Sequence, residues 1–69
     1  MPWANISSFL SNEWETATTI ARRAVVPLGR TTLGLTWAVN MRLIEYRDHW
    51  YKPREYRRQV NLRGSRRAA

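Results

Sequence analysis

The chain has 69 residues and no cysteine, and it carries twelve Lys and Arg side chains against five Asp and Glu, a formal net charge of +7 at pH 7. A chain this short makes at most one domain with a small core, and without cysteine it has neither a disulfide framework nor a thiolate zinc site to reinforce that core. We therefore expect a fold that depends on a partner, and the positive charge predicts that this partner is nucleic acid, anionic lipid or an acidic protein surface.

The first segment, residues 1–26, has the apolar spacing of an amphipathic helix. Apolar side chains recur three and four positions apart at Ile6, Phe9, Leu10, Trp14, Ala17, Ala21 and Val25. Such spacing places them on one side of a helix. Asn12 is followed three positions later by Glu15, a pattern typical of a capping box, so one helix is expected to end near Leu10 and another to begin after Asn12. A single interrupted helix lying on a surface is the alternative.

Residues 27–52 are predicted to form a helix with an aromatic and basic end, after a bend at Pro27 and Gly29, and its part from Leu28 to Tyr46 is apolar on all sides. On a helical wheel one side carries Leu28, Thr32, Leu35, Val39 and Leu43, and the opposite side carries Leu33, Trp37, Met41 and Ile44. A helix without a polar side is buried in a large protein or in lipid. Residues 24–41 contain one charge, Arg30, and would extend about 27 Å as a helix, close to the ~30 Å hydrocarbon thickness of a bilayer. We therefore expect a transmembrane or membrane-embedded helix.

Small residues in this helix predict close contact with other helices. Gly34 and Ala38 form a small-xxx-small pair that lets another helix approach, and Leu35 and Trp37 lie beside them. These four residues are the predicted helix-packing site. Arg30 would have to reach the head groups or find a partner, because an arginine at the centre of a bilayer costs roughly 2.5–3.5 kcal/mol.

The last segment mixes cations with aromatic side chains. Pro53 is expected to end the helix, and residues 53–69 are expected to form an extended basic tail. Trp and Tyr at head-group level, with arginines that reach phosphates, are typical of a membrane interface. The residues predicted to contact lipid or a partner there are Arg47, Trp50, Tyr51, Arg54, Tyr56, Arg57 and Arg58.

No motif in the sequence predicts an enzyme. His49 is the one histidine of the chain, and its neighbour Asp48 would point in a different direction on a helix. No cysteine pair or glycine-rich phosphate loop accompanies it. We therefore expect no catalytic residue, no cofactor and no bound metal.

One run of residues resembles a known family. Residues 34–44 read Gly-Leu-Thr-Trp-Ala-Val-Asn-Met-Arg-Leu-Ile. This run resembles the end of the span in the smallest accessory subunit of the mitochondrial cytochrome bc1 complex, where a Gly-Leu-x-Trp-Ala run is similarly followed by Arg-Leu-Ile. Arg30 and the long basic extension after Tyr51 depart from that family. The resemblance implies a single-span accessory subunit with a role in assembly and stability.

These observations predict an all-α fold without an independent globular core: an amphipathic helical segment in 1–26, an apolar membrane helix in 27–52 and a basic tail in 53–69. The expected function is that of a non-catalytic accessory subunit of a respiratory-chain complex in the mitochondrial inner membrane. Its partners would be the other subunits and anionic phospholipid such as cardiolipin, with the basic C-terminus on the matrix side.

Two other interpretations stay open at this point. Arginines interleaved with aromatic side chains also hold ribosomal RNA, so a small basic RNA-binding subunit of a mitochondrial or other ribosome is the alternative function. A soluble helical hairpin that dimerises through its apolar face is the third, and it would leave the side of Trp37 exposed.

Overall fold

The computed structural model describes residues 1–59, which form three helices and a three-stranded antiparallel sheet. The elements in chain order are α1 (Pro2–Ile6), a 3₁₀ turn (Ser7–Phe9), β1 (Glu15–Thr16), α2 (Ala17–Ala24), α3 (Leu28–Asn40), β2 (Ile44–Arg47) and β3 (Glu55–Arg58). The all-α prediction is therefore wrong. Part of the predicted basic tail forms β3, and residues 60–69 of that tail lie outside the described part of the chain.

The start of α2 is set by a threonine cap. The Thr16 hydroxyl accepts a hydrogen bond from the Thr19 amide at 3.3 Å, which satisfies one of the amides left free at a helix N-terminus. Helix α2 therefore begins at Ala17, and the capping box predicted at Asn12 and Glu15 does not start a helix.

The end of α2 is a left-handed cap. Val25 has φ 58°, and its amide donates to the Arg22 carbonyl at 3.3 Å. The Val26 amide donates to the Ala21 carbonyl at 3.0 Å. This pair of bonds is a Schellman motif, which closes a helix by placing one residue in the left-handed region.

Helix α3 ends in the same way. Arg42 has φ 61°, and its amide donates to the Val39 carbonyl at 3.0 Å. The Leu43 amide donates to the Ala38 carbonyl at 2.9 Å. The chain then leaves the helix and enters β2 at Ile44.

The predicted membrane-spanning helix is therefore wrong. Helix α3 has 13 residues, which at 1.5 Å per residue reach about 20 Å, well short of a ~30 Å hydrocarbon layer. Within residues 1–59, no helix is long and apolar enough to cross a membrane.

The sheet is centred on β3, which pairs with β1 on one edge and β2 on the other. The β2–β3 register places Glu45 opposite Arg57 and Arg47 opposite Glu55. Since side chains alternate between the two faces of a strand, these four charged residues share the outer face of the sheet. Ile44 and Tyr56 point the other way, into the core.

A single hydrophobic core joins the helices to the sheet, so the expectation of no independent core is also wrong. Helix α3 packs against both α1 and α2. The buried cluster consists of Ile6, Leu10, Ile20, Leu35, Ala38, Ile44 and Tyr56. Only one side of α3 contributes to it, through Thr31, Gly34, Leu35 and Ala38.

Candidate interaction surfaces

The predicted helix-packing residues lie mostly inside the chain. Gly34, Leu35 and Ala38 are buried on the side of α3 that faces α1 and the core. Trp37 lies at the surface, 37% exposed. The small-residue pair therefore receives a helix of the same chain, and Trp37 belongs to a different surface.

The outer face of the sheet carries a cluster of paired charges around one tryptophan, which we call the sheet cluster: Trp14, Glu45, Arg47, Glu55 and Arg57. Arg57 Nε donates to Glu45 Oε1 at 2.6 Å, and Arg47 Nε donates to Glu55 Oε1 at 2.7 Å. Both pairs join directly opposed residues of β2 and β3. Opposite charges in such positions stabilise the pairing of the strands.

Trp14 is covered by the two arginines of the sheet cluster. The guanidinium carbons of Arg47 and Arg57 lie 4.5 and 4.3 Å from its ring centroid. These are cation–π distances, and each contact is worth about 0.5–1 kcal/mol where water has access. Each of the two guanidinium groups is held by a ring and by a carboxylate. The sheet cluster is thus largely satisfied within the chain.

Glu55 is the most heavily engaged carboxylate of this region. It accepts from Arg47, it lies 2.8 Å from His49 Nε2 and its Oε2 is 3.9 Å from Lys52 Nζ. The hydrogen bond from Arg47, followed by that from His49, lowers the pKa of Glu55 below its ordinary value. The carboxyl group is therefore ionised near neutral pH, and its geometry suits an ion-pair anchor.

The loop between β2 and β3 exposes two aromatic side chains. Trp50 is 95% exposed and Tyr51 is exposed beside it. Arg54 bonds Asp48 with Nε–Oδ1 2.6 Å and covers the Tyr46 ring at 4.5 Å. The hydrogen bond to Asp48 raises the pKa of Arg54. Of the predicted contact residues, Trp50 and Tyr51 are thus the ones in this loop with exposed aromatic rings, which also contact each other edge to face.

The last two predicted contact residues have internal partners. Tyr56 is buried in the core. Arg58 Nε donates to the Leu10 carbonyl at 2.7 Å, and the Arg58 amide donates to the Ser11 carbonyl at 2.9 Å. These bonds fasten the N-terminal loop to β3, so both residues are placed where they support the fold.

No family model matched this chain, and no curated protein and no solved structure matched it. The residues that carry the resemblance to the bc1 subunit, 34–44, form the second half of α3, the turn after it and the first residue of β2. Within residues 1–59, no group of three or more His, Cys, Asp or Glu side chains is placed to hold a metal ion.

The side of α3 opposite the core is a second, apolar surface, which we call the α3 groove. Leu28, Leu33 and Trp37 border it and are exposed, Leu33 to 66%. Thr32 and Thr36 form its floor. The sequence contains a signal for this surface, because Leu33 and Trp37 fall on the wheel opposite Leu35. From the sequence, the same residues are interpreted as part of a membrane-embedded helix.

The charges around α3 are uncompensated. No Asp or Glu occurs between Glu15 and Glu45. In the described part of the chain, Glu15 pairs with Arg23, and Glu45, Asp48 and Glu55 pair with cations of the β2–β3 region. Arg22, Arg30 and Arg42 form no salt bridge there. An apolar groove beside one of these unpaired arginines, Arg30, is the feature that most distinguishes this side of the molecule.

Proposed function

We propose that this chain is a non-catalytic accessory subunit that binds a protein partner through the α3 groove. The exposed apolar side of α3 is the observation that carries the proposal. Scattered exposed apolar residues are ordinary on proteins, but large apolar side chains in a row along one helix are typical of interaction sites. Leu33 and Trp37, one turn apart on the exposed side of α3, make such a row, and Leu28 borders the groove on its other edge.

The energetics favour a partner. Full burial of a leucine side chain contributes roughly 1.5–3 kcal/mol relative to exposure, and Leu28 and Leu33 both have much of that contribution still available. One helix side of 13 residues covers less than the ~800 Å² per partner of a standard interface. The α3 groove is therefore the centre of a larger contact within an assembly.

Among assemblies, we propose a respiratory-chain complex of the mitochondrial inner membrane. The support is the resemblance of residues 34–44 to the bc1 accessory subunit and the basic C-terminal half of the chain, which suits anionic phospholipid. The chain would be held there by contacts with neighbouring subunits.

Native electrophoresis tests the accessory role. An epitope-tagged chain expressed in its own cells is expected to co-migrate with a large complex, and with a respiratory activity if the assignment to that complex is right. Leu33→Gln is expected to move the chain to low mass while its circular dichroism is unchanged. Trp50→Gln, at an even more exposed apolar residue on the loop, is the control and is expected to co-migrate like the wild type. A wild-type chain that migrates alone would contradict the accessory role.

RNA binding is the second candidate, and the exposed pair Trp50 and Tyr51 favours it. Bases stack on such side chains with about 1–3 kcal/mol each, and the chain has eleven arginines to neutralise phosphates. The carboxylates that hold Arg47, Arg54 and Arg57 would have to be displaced for those arginines to contribute. Release of the chain from its assembly by nuclease, and by 0.5 M salt, would favour this candidate over a protein partner.

A further inference from the structure

We infer that the occupant of the α3 groove is an amphipathic helix of another protein that carries carboxylates along one flank of its apolar side. The inference rests on the proposed function and specifies the chemistry of the partner. It follows from the shape of the groove, from the hydrogen bonding of its floor and from the charges beside it.

The shape fits a helix better than a small molecule or a strand. All residues that line the groove belong to α3, so no second element provides the opposite wall that a small ligand needs. A strand adds to an open sheet edge, whereas α3 has its backbone hydrogen bonds made within the helix. The borders at Leu28 and Leu33 with the smaller Thr32 and Thr36 between them form a ridge-and-groove surface, which receives the side chains of a crossing helix.

The part of the groove floor at Thr32 can be covered at low cost. The Thr32 hydroxyl donates to the Leu28 carbonyl at 2.8 Å. A buried hydroxyl without a partner is expensive, but this one keeps its hydrogen bond when a partner excludes water. Apolar side chains of an incoming helix can therefore lie directly over it.

The charge of the partner follows from Arg30. Arg30 lies three residues before Leu33 and seven before Trp37, so the three side chains share one flank of α3. Arg30 is exposed and, within residues 1–59, pairs with no carboxylate. A partner carboxylate on this flank would meet the guanidinium group at the edge of the apolar contact, where charged residues select the partner and its orientation.

A second copy of this chain is a poorer occupant. Two α3 grooves placed face to face would bring the Arg30 side chains of both copies to one interface without a carboxylate from α3, because residues 16–44 contain none. Like charges near an interface disfavour the wrong partner. The complementary surface must therefore come from a chain that supplies acid where this one supplies arginine.

A pair of synthetic peptides tests the inference. Both are helical with leucine at positions i, i+3, i+4 and i+7, and one carries glutamate on the flanks where the other carries lysine. Binding of each labelled peptide to the full chain is measured by fluorescence anisotropy at low salt. We expect the glutamate peptide to bind about fivefold more tightly per ion pair formed, the upper range for an exposed pair.

Reversing the charge at residue 30 shows whether the peptide preference depends on Arg30. Arg30→Glu is expected to reverse the preference, so that the lysine peptide binds more tightly. Leu33→Gln is expected to weaken both peptides about tenfold through lost apolar burial. Trp50→Gln is expected to change neither. Equal binding of the two peptides, or no reversal by Arg30→Glu, would overturn the inference.

Two further measurements test the competing occupants of the groove, a membrane surface and a second copy of this chain. Binding to phosphatidylcholine vesicles with 30% phosphatidylglycerol that Leu33→Gln abolishes, with no peptide discrimination, would overturn the inference in favour of a membrane surface. A concentration-dependent dimer in sedimentation, abolished by Leu33→Gln, would overturn it in favour of a second copy.

If the wild-type chain co-migrates with a large assembly while the peptides do not discriminate, the acidic-helix inference fails and the accessory role stands. If the wild-type chain migrates alone, the accessory role fails.

Discussion

Gly34 lies against the backbone of Trp3. A Cβ built on Gly34 would be 2.9 Å from the Trp3 amide nitrogen and 3.1 Å from Ile6 Cδ1, closer than side chains are normally found. The absence of a side chain at Gly34 is therefore what allows α1 to pack on α3 and close the core around Ile6.

Gly34→Ala is expected to destabilise the fold by about 1–3 kcal/mol, because the added methyl group must displace backbone in a packed core. Gly29→Ala is the matched control. No atom lies within 4 Å of a Cβ at Gly29, and alanine is favoured over glycine in a helix by up to about 1 kcal/mol. Urea unfolding followed by circular dichroism should therefore give opposite signs for the two variants. Two changes of the same sign would contradict the packing described for α1.

Val25→Gly is expected to stabilise the protein by roughly 0.5–1.5 kcal/mol. Val25 has φ 58°, where a β-branched side chain is strained, and it is 88% exposed, so little packing is lost. Glycine adopts this conformation without steric cost. The change in thermal midpoint measures the effect, and Val25→Ala, which relieves only the branching, should fall between the two. A lower midpoint for Val25→Gly would show that the valine side chain contributes to the fold.

Thr16→Ala is expected to cost about 1 kcal/mol, since it removes the acceptor for the Thr19 amide at the start of α2. Thr18→Ala, at an exposed position in the first turn of the same helix, is the control and should have a much smaller effect. Urea midpoints of the two variants measured side by side make the comparison. Equal losses would mean that the cap contributes nothing.

Stability is expected to decrease in acid because two carboxyl groups have lowered pKa values. Hydrogen bonding to Arg23 lowers the pKa of Glu15, and hydrogen bonding to Arg47 lowers that of Glu55, from ordinary values of 4.5. A carboxylate with a lowered pKa stabilises the fold above its unfolded pKa, and this contribution is lost as the pH falls through the folded value. The loss should therefore begin below about pH 4.5.

Urea midpoints measured from pH 7 to pH 3 test this dependence. Glu55→Gln should be less stable than the wild type at pH 7 and should show a flatter profile below pH 4.5. A variant profile as steep as that of the wild type would place the pH dependence elsewhere in the chain.

The helix ends explain why the sequence predicted too long a helix. Val25 and Arg42 close α2 and α3 in the left-handed conformation, which glycine most often provides. Neither position has glycine, so the sequence carries no stop signal there. The Val26 and Leu43 amides complete the two caps by donating to the Ala21 and Ala38 carbonyls. These hydrogen bonds depend on how the residues after each helix pack.

The β2–β3 hairpin was missed for a related reason. Its strands have few apolar residues, and a seven-residue loop with Trp50 and Pro53 separates them. The signal that the sequence does contain is the pairing of opposite charges across the hairpin, Glu45 with Arg57 and Arg47 with Glu55. That signal is readable only once a register is assumed, and the apparent continuation of an apolar helix to Ile44 concealed it.

The sequence by itself determined the charge, the lack of covalent reinforcement and the presence of apolar side chains on both sides of α3. The spacing of apolar residues shows that both sides of the helix are apolar, but it does not show which side packs against the core. Tertiary structure alone decided which of them is covered, because only the side with Gly34 lets α1 approach closely, and the chain has no further helix within residues 1–59 to cover the other. The side with Leu33 and Trp37 stays exposed because a core this small cannot enclose both sides of the helix.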